Sequence, residues 1–292
     1  MGISTFTGDH ARDKFLSAYE QAMERCWPAG WTVADVPTTF GPTRVHQYGP
    51  AGGIPVVLLP GAGGNSLMWH RYVADLGRDR QVLAVDPVGE PGGSHQDRSI
   101  ENSSDITDWL SEVFAEVGVT QAHLIGCSYG GWTALQLALR HPERVATMTL
   151  LDPAGFGKVG SRFLAWVILG GLAGLTPRPV RHRAARWLRN ATLLDDDLMG
   201  LARATMGFRR RLPVPPALTD DELRGCSTPA LVLLGERSQL YDAASVARRL
   251  QALSDFSVEI VPDTGHDLPV SHPSLVVERA LGLVTLSSTG TP

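Results

Sequence analysis

The stretch HLIGCSYGGW, residues 123–132, combines an apolar strand, a tight turn and the first turn of a helix. Ser128 has a glycine two positions away on each side, Gly126 and Gly130. Such spacing allows a strained strand-to-helix turn that presents the serine hydroxyl at the edge of a sheet. The glycines are required where a Cβ would collide with the neighbouring strand or helix. The stretch predicts a serine nucleophile, which needs a base, an acid behind the base and an oxyanion hole.

Strands and helices alternate on both sides of this stretch. Short continuous apolar runs, such as residues 54–59 and 81–85, are typical of strands buried on both faces. Separated by amphipathic segments, they predict an α/β fold with a mostly parallel sheet and helices on both faces. Active sites in such sheets lie beyond the carboxyl ends of the strands. We therefore expect the site in the loops after Leu59, Val85, Ile125 and Leu151.

The alternation stops between Pro153 and Thr228, where helical patterns continue without a convincing strand. An insertion of this size at the active-site edge predicts a lid. We expect residues 1–152 and 229–292 to form the α/β core, including an N-terminal helix. Residues 153–228 would then form a helical lid, or cap, inserted before the last two strands.

Composition excludes several classes of protein. The formal net charge of −4 argues against a nucleic-acid partner. Three widely spaced cysteines form neither a disulfide framework nor a metal cluster and indicate a reducing compartment. The longest apolar run, residues 163–175, is shorter than the roughly 20 residues that a membrane span needs. With no signal peptide evident in residues 1–13, we expect a cytoplasmic protein without a membrane span.

Several motifs occur in an order that resembles the α/β-hydrolase fold family. They are, in chain order, Pro60-Gly61-Ala62-Gly63, Asp86-Pro87-Val88-Gly89 with Gly92-Gly93-Ser94, Gly126-Cys127-Ser128-Tyr129-Gly130, and Gly265-His266-Asp267-Leu268-Pro269. The resemblance covers about residues 40–285 and is closest to the serine esterase- and lipase-like members that carry a helical lid. It implies a mostly parallel eight-stranded-type sheet and a serine hydrolase that uses no cofactor and no metal.

The resemblance assigns roles to matching residues. Ser128 would be the nucleophile, and His266, in the Gly-His loop, would be its base, because an imidazole exchanges protons near pH 7. The backbone N–H groups of Ala62 and Tyr129 would form the oxyanion hole.

The acid departs from the family pattern. In most members an aspartate follows the strand after the lid, but Ser238 stands at that position, in Gly235-Glu236-Arg237-Ser238. Some members carry the acid after the preceding strand, which here is Asp152. A serine cannot stabilise an imidazolium as a carboxylate does. Asp152 is therefore the preferred acid, with Glu236 and Asp242 as alternatives, and the absence of any working acid also stays open.

Candidate substrate contacts come from aromatic residues near these motifs. Trp69 follows the glycine-rich motif at residues 60–63, Trp132 follows the turn that carries Ser128, and Trp166 lies in the apolar run of the expected lid. The lid has 12 Lys and Arg residues against 6 Asp and Glu. This excess is typical of a solvated helix face, and it also fits attraction of an anionic substrate or an acidic carrier domain.

The sequence thus predicts a hydrolase that cleaves a carboxylic ester or related acyl compound through an acyl-enzyme on Ser128. Thioester cleavage, lactone opening or formation, carbon–carbon bond hydrolysis and perhydrolysis are alternatives on the same groups. A non-catalytic hydrolase fold that only binds a small molecule is the alternative from another class, supported by the serine at position 238.

Overall fold

The computed structural model describes residues 2–289, and the side chains of residues 2–287. Its strands are β1 Thr5–Phe6, β2 Thr32–Val36, β3 Thr43–Tyr48, β4 Val56–Leu59, β5 Val82–Val85, β6 Ala122–Cys127, β7 Val145–Leu151, β8 Phe208–Arg209, β9 Ala230–Gly235 and β10 Ser257–Val261. Its helices are α1 Asp9–Cys26, α2 Val73–Leu76, α3 Ser103–Glu116, α4 Tyr129–Arg140, α5 Ser161–Gly174, α6 Arg178–Leu188, α7 Asp196–Ala204, α8 Asp220–Gly225, α9 Ala243–Leu253, α10 Leu268–Ser271 and α11 Pro273–Thr289.

Eight of these strands form one sheet in the order β10-β9-β7-β6-β4-β5-β3-β2. The pairs from β10 to β5 are parallel, whereas β3 pairs antiparallel with both β5 and β2. From β4 the chain adds β5 on one side and later β6 on the other, so the strand order changes sense between β4 and β6. The carboxyl ends of two such strands open onto a crevice where α/β proteins bind ligands.

Both faces of the sheet are covered by apolar side chains. Along β5, Leu83 and Val85 belong to one core cluster, whereas Val82 and Ala84 belong to the other. The first cluster includes side chains of α3, α4 and α9, and the second includes side chains of α1 and α11. Because alternate residues of a strand point to opposite faces, the continuous apolar runs reflect burial on both sides.

Residues 153–228, termed the insertion below, connect β7 to β9 and contain α5 to α8. The insertion also contains β8, which pairs antiparallel with β1 through Thr5↔Arg209 and Phe6↔Phe208. The expectation of an insertion without strands is wrong at this point. Strands of two residues are too short for an alternating pattern, and this pair joins positions about 200 residues apart.

Element ends differ from expectation in two other places. The sequence of residues 67–76 predicts a single helix, but this stretch forms a 3₁₀ turn, Ser66–Trp69, and the short helix α2. The Asn65 side chain caps the turn by accepting a hydrogen bond from Leu67 N. The sequence of residues 195–210 predicts one helix, but α7 ends at Ala204, before the chain enters β8. Among the helices described, none combines the length and the apolar character needed to cross a membrane.

Candidate active site

Ser128 lies between β6 and α4 in a strained backbone conformation, with φ 49° and ψ −111°. A non-glycine residue adopts such angles only where its surroundings enforce them. A Cβ on Gly126 would lie 2.5 Å from the carbonyl oxygen of Gly130, and a Cβ on Gly130 would collide with the carbonyl oxygen of Leu59. The close approach of these backbones therefore explains both glycines of the turn.

His266 lies in the loop after β10, and both of its ring nitrogens have partners. Nε2 is 3.0 Å from Ser128 Oγ, and Nδ1 is 2.6 Å from Asp152 Oδ2. The backbone N–H of His266 donates to the side-chain oxygen of Gln239 at 3.0 Å. The rings of Phe163 and Trp166 meet the imidazole edge-on, with centroids 5.0 and 5.9 Å away. The loop and the insertion together fix the ring between the serine and the carboxylate.

Asp152 follows β7 and is fully buried, with φ 43°. Its Oδ1 accepts a hydrogen bond from Gly235 N at 3.2 Å, and its Oδ2 accepts one from Ser238 Oγ at 2.6 Å. Burial, and after it the charge of Asp152, raises the pKa of the nearby Tyr241 phenol well above its usual value. The carboxylate is therefore hydrogen-bonded on both oxygens, as a buried charge requires.

The alternative acids make other contacts. Glu236 accepts a hydrogen bond from Asp263 N at 2.9 Å, and its side chain is half exposed. Asp242 caps α9 by accepting a hydrogen bond from Ser245 N at 2.7 Å. Hydrogen bonding with the Ser245 side chain, and after it with this N–H, lowers the pKa of the Asp242 carboxyl group. Within the described residues neither is a hydrogen-bond partner of His266. The hydroxyl of Ser238 makes no hydrogen bond to the imidazole and donates to Asp152 instead.

Asp86, which follows β5, belongs to the framework of the fold. It accepts hydrogen bonds from the backbone and hydroxyl of Ser66, from Gly93 N and from the Tyr19 hydroxyl. Although burial opposes the charged form, the neighbouring His46 and these hydrogen bonds lower the pKa of Asp86 to about 2. Asp86 thus ties the loops after β4 and β5 together.

The glycine-rich loop after β4 lies against the serine, because a Cβ on Gly61 would be 3.4 Å from Ser128 Cβ. The N–H of Tyr129 lies at the N-terminus of α4. Neither it nor the N–H of Ala62 hydrogen-bonds to another group in the part of the chain described. Donors left free beside a nucleophile are what an oxyanion hole needs.

Glu90, which sequence reasoning missed, holds this loop. Its buried carboxylate accepts a hydrogen bond from Gly63 N at 2.9 Å and another from Arg210 Nε at 2.8 Å. Burial raises the pKa of Glu90, and Arg210 opposes that shift. The Arg210 guanidinium also lies 4.7 Å from the centroid of the Tyr129 ring. The sequence offered one signal for Glu90: it is an acidic residue in the loop after β5, at the expected active-site edge.

A cavity of about 280 Å³ opens over Ser128. Its wall combines the glycine-rich loop, residues 61–65, with Met68, Phe163, Trp166, Leu198 and Leu201. Most of these side chains are apolar, which suits a hydrocarbon or aromatic group. Among the described residues, no cluster of His, Cys, Asp and Glu could hold a metal ion.

The three tryptophans predicted to bind substrate occupy different places. Trp166 lines the cavity and donates from Nε1 to the carbonyl oxygen of Leu188 at 2.8 Å. Trp69 and Trp132 are fully buried in the two core clusters, on opposite sides of the sheet, and are absent from the cavity wall. Their assignment to the substrate site is corrected, because proximity in sequence to a motif does not fix the direction of a side chain.

Comparison with known proteins identifies the class. The model of the alpha/beta hydrolase family matches residues 56–279. The uncharacterized carboxylesterase nap of Bacillus subtilis (strain 168) is 30% identical over 279 residues, covering 92% of this chain and 91% of that protein. Carboxylesterase YbfK of the same organism is 28% identical, covering 93% of each chain. The chain therefore belongs to the alpha/beta hydrolase family.

A solved structure agrees with this assignment. The crystal structure of naproxen esterase (carboxylesterase NP) from Bacillus subtilis has a TM-score of 0.85 and 27% identity, covering 95% of this chain and 99% of that one. The predicted family, the α/β fold with its mostly parallel eight-stranded sheet, and the prediction of an α/β-hydrolase enzyme are confirmed.

Proposed function

We propose that this protein hydrolyses carboxylic esters through an acyl-enzyme formed on Ser128. The observation that carries the proposal is the hydrogen-bonded series from Ser128 Oγ to His266 Nε2, and from His266 Nδ1 to Asp152 Oδ2. Such a series activates a serine that is otherwise a weak nucleophile. The related carboxylesterases, nearly equal in length, support the choice of an ester over the other acyl compounds.

The reaction has two halves. Ser128 Oγ attacks the ester carbonyl while His266 Nε2 takes the hydroxyl proton, and the imidazolium then gives that proton to the departing alcohol as the C–O bond breaks. Water attacks the acyl-serine in the second half, with His266 taking a proton from water and returning it to Ser128. The N–H groups of Ala62 and Tyr129 stabilise the negative oxygen of each tetrahedral intermediate.

Asp152 holds the neutral His266 ring in the tautomer that is protonated on Nδ1, and it stabilises the imidazolium when that forms. Gly235 N–H and the Ser238 hydroxyl support the carboxylate in this role. Both donate hydrogen bonds to it and so stabilise its charged form. Glu90 acts as a positioning residue: by accepting from Gly63 N, it fixes the loop that carries the Ala62 donor.

The substrate is a compact ester whose acyl or alcohol part is apolar or aromatic. The cavity volume of about 280 Å³ and the rings of Phe163 and Trp166 support this class. The cavity wall described above includes no lysine or arginine, which favours an uncharged group beside Ser128 over an anionic or carrier-bound one. The insertion acts as the lid, since α5 and α7 supply much of that wall. A cytoplasmic location stays a prediction.

A fluorophosphonate probe tests the nucleophile. Intact-mass measurement should find one label per folded chain, on the peptide that contains Ser128, and the Ser128→Ala variant should stay unlabelled. Hydrolysis of p-nitrophenyl acetate, butyrate and octanoate by the same samples should depend on Ser128 and favour the acyl length that fits the cavity. A folded wild-type protein that takes no label and cleaves no ester would instead support the non-catalytic binding alternative.

A further inference from the structure

The outer side of the insertion exposes an apolar surface. Leu164, Ile168, Leu172 and Leu175 recur at helical spacing on and just after α5, with exposed fractions between 53 and 59%. The neighbouring helix α6, which packs on α5 through Ala173 and Ala185, exposes Val180 at 54% and Trp187 at 75%. These six side chains are termed the outer face. Soluble proteins rarely expose contiguous apolar patches without a binding role.

The opposite side of α5 faces the active site, where Phe163 and Trp166 contact the His266 ring. The helix is therefore apolar on two sides, only one of which is covered. Its 14 residues give a length of about 21 Å, too short for a hydrocarbon core of about 30 Å. Such a helix can lie along a membrane surface but cannot cross it.

The charged residues within the segment that carries the outer face are all arginines. Residues 161–190 contain six arginines and no Lys, Asp or Glu. Arg178 and Arg181 pair with Asp196, and Arg189 pairs with Asp263. Arg183 and Arg186 are exposed on α6, and no carboxylate among the described residues pairs with either. The surface thus combines exposed leucines and a tryptophan with unneutralised arginines.

This combination selects among partners. A symmetric contact between two copies would bring the unpaired Arg183 and Arg186 of one copy against those of the other, which is repulsive. An acidic protein would complement the charge of the arginines, but it would leave the exposed Leu and Ile side chains without an apolar surface to pack against. Basic side chains beside Leu and Trp on short helices are typical of segments that lie in the interface of an anionic bilayer.

We propose that the outer face binds the surface of membranes that contain anionic lipids. Its apolar side chains enter the boundary between headgroups and acyl chains, Trp187 lies at headgroup level, and Arg183 and Arg186 contact lipid phosphates. The cavity then lies behind the bound helix α5, where an apolar ester could pass from the bilayer to Ser128. Binding itself does not depend on the proposed hydrolysis.

Cosedimentation of the full chain with vesicles tests this proposal. Vesicles of phosphatidylcholine and phosphatidylglycerol in equal amounts should bind the wild type and the Ser128→Ala variant alike, whereas pure phosphatidylcholine should bind at least tenfold less. Ile168→Ser/Leu172→Ser and Arg183→Gln/Arg186→Gln should each lower binding to the anionic vesicles about tenfold or more. The arginine variant should also lose most of the salt dependence.

Matched surface changes elsewhere serve as controls. Val33→Ser/Val214→Ser and Arg78→Gln/Arg224→Gln alter exposed side chains outside residues 161–190 and should leave binding within twofold of wild type. Circular dichroism confirms that each variant is folded. The proposal is overturned if wild type stays in solution with anionic vesicles at low salt, if the controls weaken binding as much, or if both vesicle types bind equally. A concentration-dependent dimer that Ile168→Ser/Leu172→Ser abolishes, without vesicle binding, would assign the face to self-association instead.

Discussion

The loops after β7 and β9 lie side by side, since Leu151 and Leu233 are register partners in these parallel strands. The first loop begins with a carboxylate, Asp152, and the second carries a hydroxyl, Ser238, which donates to that carboxylate at 2.6 Å. The α/β-hydrolase pattern that this sequence resembles usually has an aspartate in the second loop. We infer from this comparison that the acid of such a site can follow either of two adjacent strands, while the other strand end supplies a hydrogen-bond donor to it.

The largest effect is expected at the first of these loops. Asp152→Asn keeps the shape of the side chain but removes its charge and permits the wrong tautomer of His266, so kcat/KM should fall by about 10³–10⁴. Steady-state kinetics with p-nitrophenyl butyrate measure this loss. Glu236→Gln and Asp242→Asn are the matched controls and should stay within about threefold of wild type. A reversal, with the loss in either control, would move the acid to the second loop.

A smaller loss of activity is expected when Glu90, which holds the glycine-rich loop through Gly63 N–H, is replaced. Glu90→Ala frees Gly63 N–H, so kcat should fall about 10- to 100-fold with KM within about twofold, because a displaced donor weakens transition-state binding most. Glu90→Gln keeps an acceptor oxygen and should recover part of the rate. Glu259→Ala, at a surface ion pair with Arg279, is the control. A loss confined to KM, or no recovery with glutamine, would refute the positioning role.

Ser238→Ala sharpens the comparison from the second loop. It removes one donor to Asp152 Oδ2 but leaves Gly235 N–H and the imidazole in place, so kcat/KM should fall only about 3- to 10-fold. The same assay measures it. A drop as large as that of Asp152→Asn would mean that the hydroxyl is an essential member of the site and not a support.

The smallest effect is expected far from these loops, near the amino-terminal ends of β6 and β7, where His123 in β6 hydrogen-bonds Thr147 in β7 at 2.9 Å. Burial lowers the pKa of His123 from 6.5 to about 4. The unfolded chain therefore takes up a proton that the folded chain refuses, and stability is lost as the pH falls from about 6.5 towards 4. Calorimetry should show a shallower decline of Tm between pH 7 and 5 for His123→Gln, with unchanged kcat. An identical slope would contradict this.

Much of the fold was predictable because its signals are local. Apolar runs mark β4, β5 and β6, and the glycines around Ser128 mark the turn whose backbones approach too closely for a Cβ. The structure also brings Asp152 and His266 together, which the sequence suggested only through the missing aspartate at Ser238. The sequence did not predict features that depend on how distant parts of the chain pack together. These are the β1–β8 pair, the Glu90–Gly63 contact, and the burial of Trp69 and Trp132.

The central claim, that Asp152 is the partner of His266, has a direct spectroscopic test. In protein labelled with ¹⁵N-histidine, the Nδ1 proton of His266 should give a strongly downfield NMR signal, because it lies in a hydrogen bond to a carboxylate oxygen only 2.6 Å away. That signal should disappear in Asp152→Asn and persist in Glu236→Gln, Asp242→Asn and Ser238→Ala. Persistence of the signal in Asp152→Asn, with its loss in Glu236→Gln or Asp242→Asn, would contradict the assignment.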